Sequence, residues 1–138
     1  SRLKAKYGVP NSNITYDADG IGSYLRGFLK GAKPFVNNAA ALKGENYANL
    51  KTQCYFLLAK KINEGAIFIE SEEFRDELIQ ELEQVKRDKV DTEQKLRLVP
   101  KSEIREAINR SPDFADSKAF RMIFELKTDP RGQHLNFI

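Results

Sequence analysis

The sequence predicts one α/β domain in which a short mixed sheet is flanked by helices. The 138 residues suit a single domain, and a content of 41% hydrophobic and 31% charged residues is ordinary for a globular protein. Residues 13–36 read as strand, turn, helix and strand, which is the pattern of a right-handed parallel crossover. From residue 47 onward, apolar residues recur mainly at helical spacing.

The first half of the chain is expected to build that crossover. Residues 2–7 look like the end of a helix, because a glycine and a proline follow them. Residues 13–17 form a strand rich in β-branched and aromatic side chains, and the turn at 20–22 leads into a short helix over 24–29. Residues 35–36 supply the second strand.

The second half alternates helices with brief apolar runs. A helix is predicted from Tyr47 to Ile62, and the final helix should bury Ala115, Ala119, Met122, Ile123 and Leu126. Two strands are expected, over 66–69 and 96–99. Three serines precede predicted helices as N-caps, and these are Ser71, Ser102 and Ser111.

The chain contains few residues that bind soft metals. Cys54 and His134 are the single cysteine and the single histidine, so an internal disulfide and a classical Cys/His zinc site are both excluded. We expect Cys54 to lie in the core. Any bound metal must have oxygen ligands, which points to magnesium, manganese or calcium. The sequence contains no apolar run of the roughly 18 residues that a membrane span needs.

Charge is unevenly distributed, although the net charge is only +3. Residues 1–61 carry ten Lys/Arg against three acids, and residues 64–93 carry four against eleven. Two of the three acids in the basic segment are Asp17 and Asp19. Such acids fit a metal site beside a phosphate-binding surface, but the same charges also fit a basic and an acidic solvated face.

Three carboxylates stand where metal-dependent phosphoryl chemistry could use them. Asp17 ends the first predicted strand, where open α/β sheets bind ligands. Asp113 and Asp116 share one face at the start of the last helix. Two-metal nucleases need several such carboxylates. The alternative is structural: Asp17 and Asp19 would belong to a strand-ending turn, and Asp113 would be an ordinary helix N-terminal acid.

Four stretches, in order, resemble the nuclease domain of phage DNA-packaging terminase large subunits. The most specific is Ser-Pro-Asp-Phe-Ala-Asp, within 110–116, whose Asp-x-x-Asp start also resembles Holliday-junction resolvases. Two departures are Gln53, where glutamate is commoner, and Ser117, where alanine is usual. The four stretches are residues 14–22, 46–53, 98–104 and 110–116.

The resemblance implies a ribonuclease H-like nuclease that cuts concatenated viral DNA with two Mg²⁺ or Mn²⁺ ions. Asp17 would bind or bridge the metals, and Asp113 with Asp116 would complete the second metal site. Double-stranded DNA, the terminase small subunit and the portal protein would be partners, in the host cytoplasm. Phosphate contacts would come from Lys101, Arg97 and Arg105, which could equally form a solvated basic face.

The family's first strand, which carries a further catalytic aspartate, should precede residues 2–7. We therefore expect residues 1–127 to be an incomplete nuclease domain, followed by a tail at 128–138. The chain would be monomeric and would have weak or no nuclease activity by itself. Because like-charged carboxylates repel without metal, Asp17→Asn and Asp116→Asn are expected to abolish cutting in the complete domain without lowering the melting temperature.

Two rival functions fit the same residues. A resolvase-like nuclease would share the acids but prefer branched DNA. A non-catalytic DNA-binding or assembly module would use the acids as turn and cap residues, and would bind no divalent ion.

Overall fold

A two-stranded sheet and six helices make up the fold in the computed structural model, which describes residues 2–19, 24–89 and 92–127. The predicted turn at 20–22 and the tail at 128–138 lie outside these residues. The strands are β1 (Thr15–Asp17) and β2 (Lys33–Phe35). The helices are α1 (Arg2–Tyr7), α2 (Leu25–Phe28), α3 (Leu50–Asn63), α4 (Arg75–Gln84), α5 (Lys101–Ile108) and α6 (Asp113–Leu126).

The two strands run parallel, as the strand–helix–strand pattern predicts. Asp17 lies opposite Phe35 in the register, and the Ala18 amide donates to the Phe35 carbonyl at 2.9 Å. Parallel strands end at the same edge of a sheet, so the residues that follow β1 and β2 come together there. The α/β fold class is confirmed, with the sheet itself reduced to this one pair.

The core lies mainly between α3 and α6. All five residues predicted for the buried face of α6 are buried, and Phe120 from the same helix stacks on Phe35 of β2 with ring centroids 4.1 Å apart. This stacking fixes β2, and through it the carboxyl edge of the sheet, against α6. None of the helices in the described ranges is long and apolar enough to cross a membrane.

The two additional strands predicted from apolar runs are wrong. Residues 66–69 belong to no strand, and Phe68 is 89% exposed. Residues 96–99 make only isolated bridges, from Leu96 to Tyr47 and from Leu98 to Arg87. Strand formation needs a neighbouring strand, and a local apolar pattern does not supply one.

The predicted serine caps are also wrong. α4 begins at Arg75 after Phe74, which has a left-handed backbone (φ 61°) and stacks on Phe114. Ser102 lies inside α5, and α6 has no side-chain cap from its own N-cap residue. α3 begins three residues later than predicted, because the side chain of Asn49 accepts from the Thr52 amide at 2.8 Å and caps the helix.

Cys54 is fully buried in the core, as predicted. Burial raises the pKa of its thiol to about 12, so almost no reactive thiolate exists at pH 8. We expect a thiol reagent such as DTNB to label the native protein about a hundredfold more slowly than the protein in denaturant. Equal labelling rates at pH 8 would contradict the burial of this side chain.

Candidate functional site

A group of polar side chains lies at the carboxyl edge of the sheet. Asp17, the last residue of β1, accepts from the Asp19 amide at 3.0 Å. Asn37, two residues beyond β2, donates from Nδ2 to Asp17 Oδ1 at 3.2 Å and to Asp19 Oδ2 at 2.6 Å. Its backbone amide also donates to Asp19 Oδ2 at 3.3 Å. The parallel sheet thus brings the Asn37 amide next to two carboxylates that precede it by 18 and 20 residues in the chain.

Asp116 forms the second polar group, on the first turn of α6. It is only 5% exposed. Lys51 Nζ lies 2.8 Å from Oδ1 and 3.0 Å from Oδ2, and Lys101 Nζ lies 3.3 Å from Oδ2. The Tyr55 hydroxyl donates to Oδ1 at 2.6 Å. A buried carboxylate needs compensating charge and hydrogen bonds, and three different side chains supply them here.

Lys51 links the two groups. Its backbone amide donates to the Asn37 carbonyl at 3.3 Å, while its ammonium pairs with Asp116. A cavity of about 280 Å³ opens beside this pair, and Lys51, Tyr55, Lys101 and Asp116 all line it. Two cationic side chains and one carboxylate therefore face a space large enough for a small anionic group.

The hydroxyl of Tyr55 is held in its neutral form. Burial raises its pKa well above 10, and the charge of Asp116 together with the hydrogen bond to it raises the pKa further. Tyr55 is therefore a hydrogen-bond donor to Asp116 over the whole physiological pH range, and not a proton acceptor.

The start of α6 is fixed by a residue from another helix. Glu81 of α4 is fully buried, and its Oε2 accepts from the Ala115 amide at 2.7 Å. Its other oxygen pairs with Arg110, whose guanidinium also donates to the Glu77 carbonyl and to Gln80 Oε1. Glu81 thus caps α6, the role expected of Ser111. The amide that it accepts from belongs to Ala115, which directly precedes Asp116.

The structure separates the two acids of the Asp-x-x-Asp pair by burial. Asp116 is buried within its ion pairs, whereas Asp113 is exposed. Within the described ranges, no three His, Cys, Asp or Glu side chains approach closely enough to form one metal-binding group. Asp17 and Asp116 lie in two separate polar groups, which are linked through Asn37 and Lys51.

The three predicted phosphate-binding residues have different surroundings. Lys101 reaches Asp116 and lines the cavity. Arg105 is exposed and donates from Nε to Ser111 Oγ at 3.0 Å, and Arg97 is also exposed. Lys101 is thus in contact with a candidate site carboxylate, Asp116.

Sequence reasoning missed Asn37, Lys51, Tyr55 and Glu81. Lys51 and Tyr55 carried a usable signal, because they are four residues apart on α3 and therefore share a face. Gln53 has a structural role here: its amide bonds both the N–H and the carbonyl of Leu42. The glutamine at this position, where the resembling sequences more often have glutamate, therefore holds the loop before α3.

Comparisons with known proteins give a match only at the level of structure. No protein-family model matches the chain, and no curated protein does. The nuclease domain of the large terminase subunit gp2 of bacterial virus Sf6 is similar, with a TM-score of 0.70 and 21% identity over 88% of this chain and 68% of that one.

Two further solved structures of that domain are similar, both of a variant protein. The structure with manganese has a TM-score of 0.71 and 20% identity, over 88% of this chain and 69% of that one. The structure with calcium has a TM-score of 0.68 and 20% identity, over 88% of this chain and 68% of that one. At this level of identity the likeness establishes the architecture. The chain has the fold of terminase large-subunit nuclease domains, as the resemblance in its sequence implied.

Proposed function

We propose that this chain is part of the divalent-metal-dependent DNA nuclease of a viral packaging terminase. The observation that carries the proposal is the position of Asp17 and Asp116. We take the Asp17 group and the Asp116 group, which Asn37 and Lys51 link, as the two halves of one site. Asp116 lines a cavity together with two lysines, and the chain has the fold of terminase nuclease domains. Double-stranded DNA is the proposed substrate, and the small subunit and portal protein are the proposed assembly partners.

Mg²⁺ or Mn²⁺ is the proposed cofactor. Asp17, Asp113 and Asp116 offer the carboxylate oxygens that these ions prefer. An ion at Asp116 would take the place of the Lys51 ammonium, which lies beside both oxygens of that carboxylate. A pair of bound ions would activate water and stabilise the leaving oxygen during phosphodiester hydrolysis. We assign the metal-holding role to these three aspartates.

The other residues of the site act on charge and orientation. Tyr55 and Lys51 fix the carboxylate of Asp116 from the protein interior. Lys101, which is more exposed than Lys51, faces the cavity and would attract a DNA phosphate into it. The site therefore combines buried groups that orient Asp116 with a solvent-facing cation suited to the substrate.

Manganese binding tests this proposal directly. Calorimetric titration of the chain with Mn²⁺ should show binding that Asp17→Asn weakens at least about tenfold, because it removes a charged oxygen ligand. Asp76→Asn, an exposed acid on α4, is the matched control and should bind like the wild type. Absence of Mn²⁺ binding up to millimolar concentration would overturn the proposal and favour an assembly module.

DNA preference separates the terminase from the resolvase interpretation. We expect the metal-loaded complete domain to cut linear duplex at least as well as a four-way junction. A strong preference for the junction would favour the resolvase-like alternative.

The exposed cations near the site should contribute to DNA binding. Arg97→Gln and Arg105→Gln should each reduce the slope of log K against log salt by about 1, because each lost phosphate contact releases about one counterion fewer. Binding is measured with Ca²⁺ and a labelled duplex. Arg75→Gln, on the acidic helix α4, should leave the slope unchanged. Unchanged slopes for both site variants would assign Arg97 and Arg105 to a solvated face.

A further inference from the structure

Asn37 occupies the junction between the two halves of the site. Its side-chain nitrogen donates to Asp17 Oδ1 at 3.2 Å and to Asp19 Oδ2 at 2.6 Å, and its backbone amide donates to Asp19 Oδ2 at 3.3 Å. Its carbonyl accepts from the amide of Lys51, the residue whose ammonium pairs with Asp116. Asn37 thus contacts the carboxylates of Asp17 and Asp19 with its side chain. With its backbone carbonyl it contacts Lys51, which pairs with Asp116.

The carboxylates dictate how the Asn37 amide is oriented. An asparagine side chain has one donor end and one acceptor end. The donor end faces Asp17 and Asp19, whereas the acceptor, Oδ1, is buried and has no hydrogen-bond partner among the described residues. The opposite orientation would direct a carbonyl oxygen at two negative charges. The Asn37 amide therefore donates hydrogen bonds to both acids, while its own oxygen has no hydrogen-bond partner among the described residues. An asparagine with a purely structural role would be expected to form hydrogen bonds at both ends.

This arrangement solves an electrostatic problem. Two carboxylates on neighbouring turn residues repel each other without a cation. The two side-chain N–H groups and the backbone N–H of Asn37 give three charge-assisted hydrogen bonds, which are stronger than neutral ones. They keep Asp17 and Asp19 together in the metal-free protein.

We infer that Asn37 is a positioning residue that preorganises Asp17 and Asp19 for a divalent ion and couples them, through Lys51, to Asp116. The inference rests on the proposed function, since it assigns Asn37 a role toward the same metal site. A ligand held in place before binding loses less freedom on binding. Removal of the amide should therefore weaken ion binding even though the aspartates remain.

The test compares Asn37→Ala with Asn63→Ala, a control at the exposed end of α3. Mn²⁺ affinity is measured by calorimetry and by the electron paramagnetic resonance signal of free Mn²⁺, and the melting temperature is recorded with and without Mn²⁺. We expect Asn37→Ala to bind Mn²⁺ about tenfold or more weakly, and Asn63→Ala to match the wild type. A structural role alone would lower the melting temperature but leave the Mn²⁺ affinity of the folded variant unchanged.

A second variant keeps the test decisive if Asn37→Ala folds poorly. Asn37→Gln keeps the amide and most of the side-chain volume but displaces its donors by one methylene. Its Mn²⁺ affinity should therefore fall, and Mn²⁺ should raise its melting temperature by less than it raises the wild-type value.

The outcomes separate the two proposals. Wild-type Mn²⁺ affinity in the folded Asn37→Ala variant, or in Asn37→Gln where the alanine variant does not fold, overturns the positioning role alone. A wild-type chain that binds no Mn²⁺ overturns both the proposed function and this inference.

Discussion

Replacing Glu81 with alanine should lower the free energy of unfolding by about 3–5 kcal/mol, the usual cost of removing one partner from a buried ion pair. The carboxylate is fully buried, and each oxygen has a partner: Arg110 on one side and the Ala115 amide on the other. The alanine variant leaves the guanidinium of Arg110 without its buried counter-charge and leaves an amide at the start of α6 without an acceptor. Urea denaturation followed by circular dichroism measures the loss.

Glu83→Ala provides the control, since Glu83 is an exposed acid on the same helix. Its effect should stay within about 0.5 kcal/mol, as is usual for surface substitutions. A loss below about 1 kcal/mol for Glu81→Ala would show that the carboxylate is not the cap of α6. Arg110→Ala should destabilise the chain as well, because Glu81 would then be the unpaired buried charge.

The Glu81 variant also has a consequence for the site. Ala115, whose amide Glu81 accepts, directly precedes Asp116 in α6. Loss of this cap frees the first turn of the helix, and that turn carries both Asp113 and Asp116. We therefore expect the folded fraction of Glu81→Ala to bind Mn²⁺ more weakly than the wild type.

Elements with their own internal period could be predicted from the sequence. The buried face of α6 is correct at every position because each apolar residue recurs on one side of a helix. The β1–β2 pair was predictable because a helical segment lies between the two strands in the sequence, which is typical of a parallel crossover. Residues 66–69 show the limit: an apolar run predicts a strand only if another strand is available to pair with it, and that depends on tertiary structure.

For the candidate site, sequence position predicts where the three aspartates lie in the fold, and their role as metal ligands stays a prediction. Positions in the chain suffice to select Asp17 at a strand end and Asp113 with Asp116 at a helix start. The partners that control these acids come from elsewhere: Lys51 is 65 residues from Asp116, and Glu81 is 34 residues from Ala115. No local pattern indicates such pairs, because helix packing creates them.

The Asp116→Asn variant should be inactive in the complete domain and also less stable than the wild type by about 1.5–3 kcal/mol. From the sequence, carboxylate repulsion predicted no loss of stability. The structure reverses that expectation, because Asp116 is surrounded by the ammonium groups of Lys51 and Lys101 and by the Tyr55 hydroxyl. A neutral amide keeps the shape but loses charge-assisted hydrogen bonds, which are worth about 1.5–3 kcal/mol.

Asp17→Asn is the informative comparison for this last prediction. Asp17 accepts from the Asn37 side chain and from the Asp19 amide, but it lies beside a second carboxylate, Asp19, and has no ion pair among the described residues. In Asp17→Asn, relief of the repulsion should offset the weaker hydrogen bonds, so the melting temperature should stay unchanged or rise. Double-mutant cycles with Lys51→Met test whether Lys51 causes the difference in stability between the two variants. The coupling free energy between Lys51 and Asp116 should be about 1–3 kcal/mol, and that between Lys51 and Asp17 should be much smaller. If Asp116→Asn melts at the wild-type temperature while Asp17→Asn melts lower, the two acids have the opposite electrostatic surroundings, and the assignment of Lys51 as the support of Asp116 is wrong.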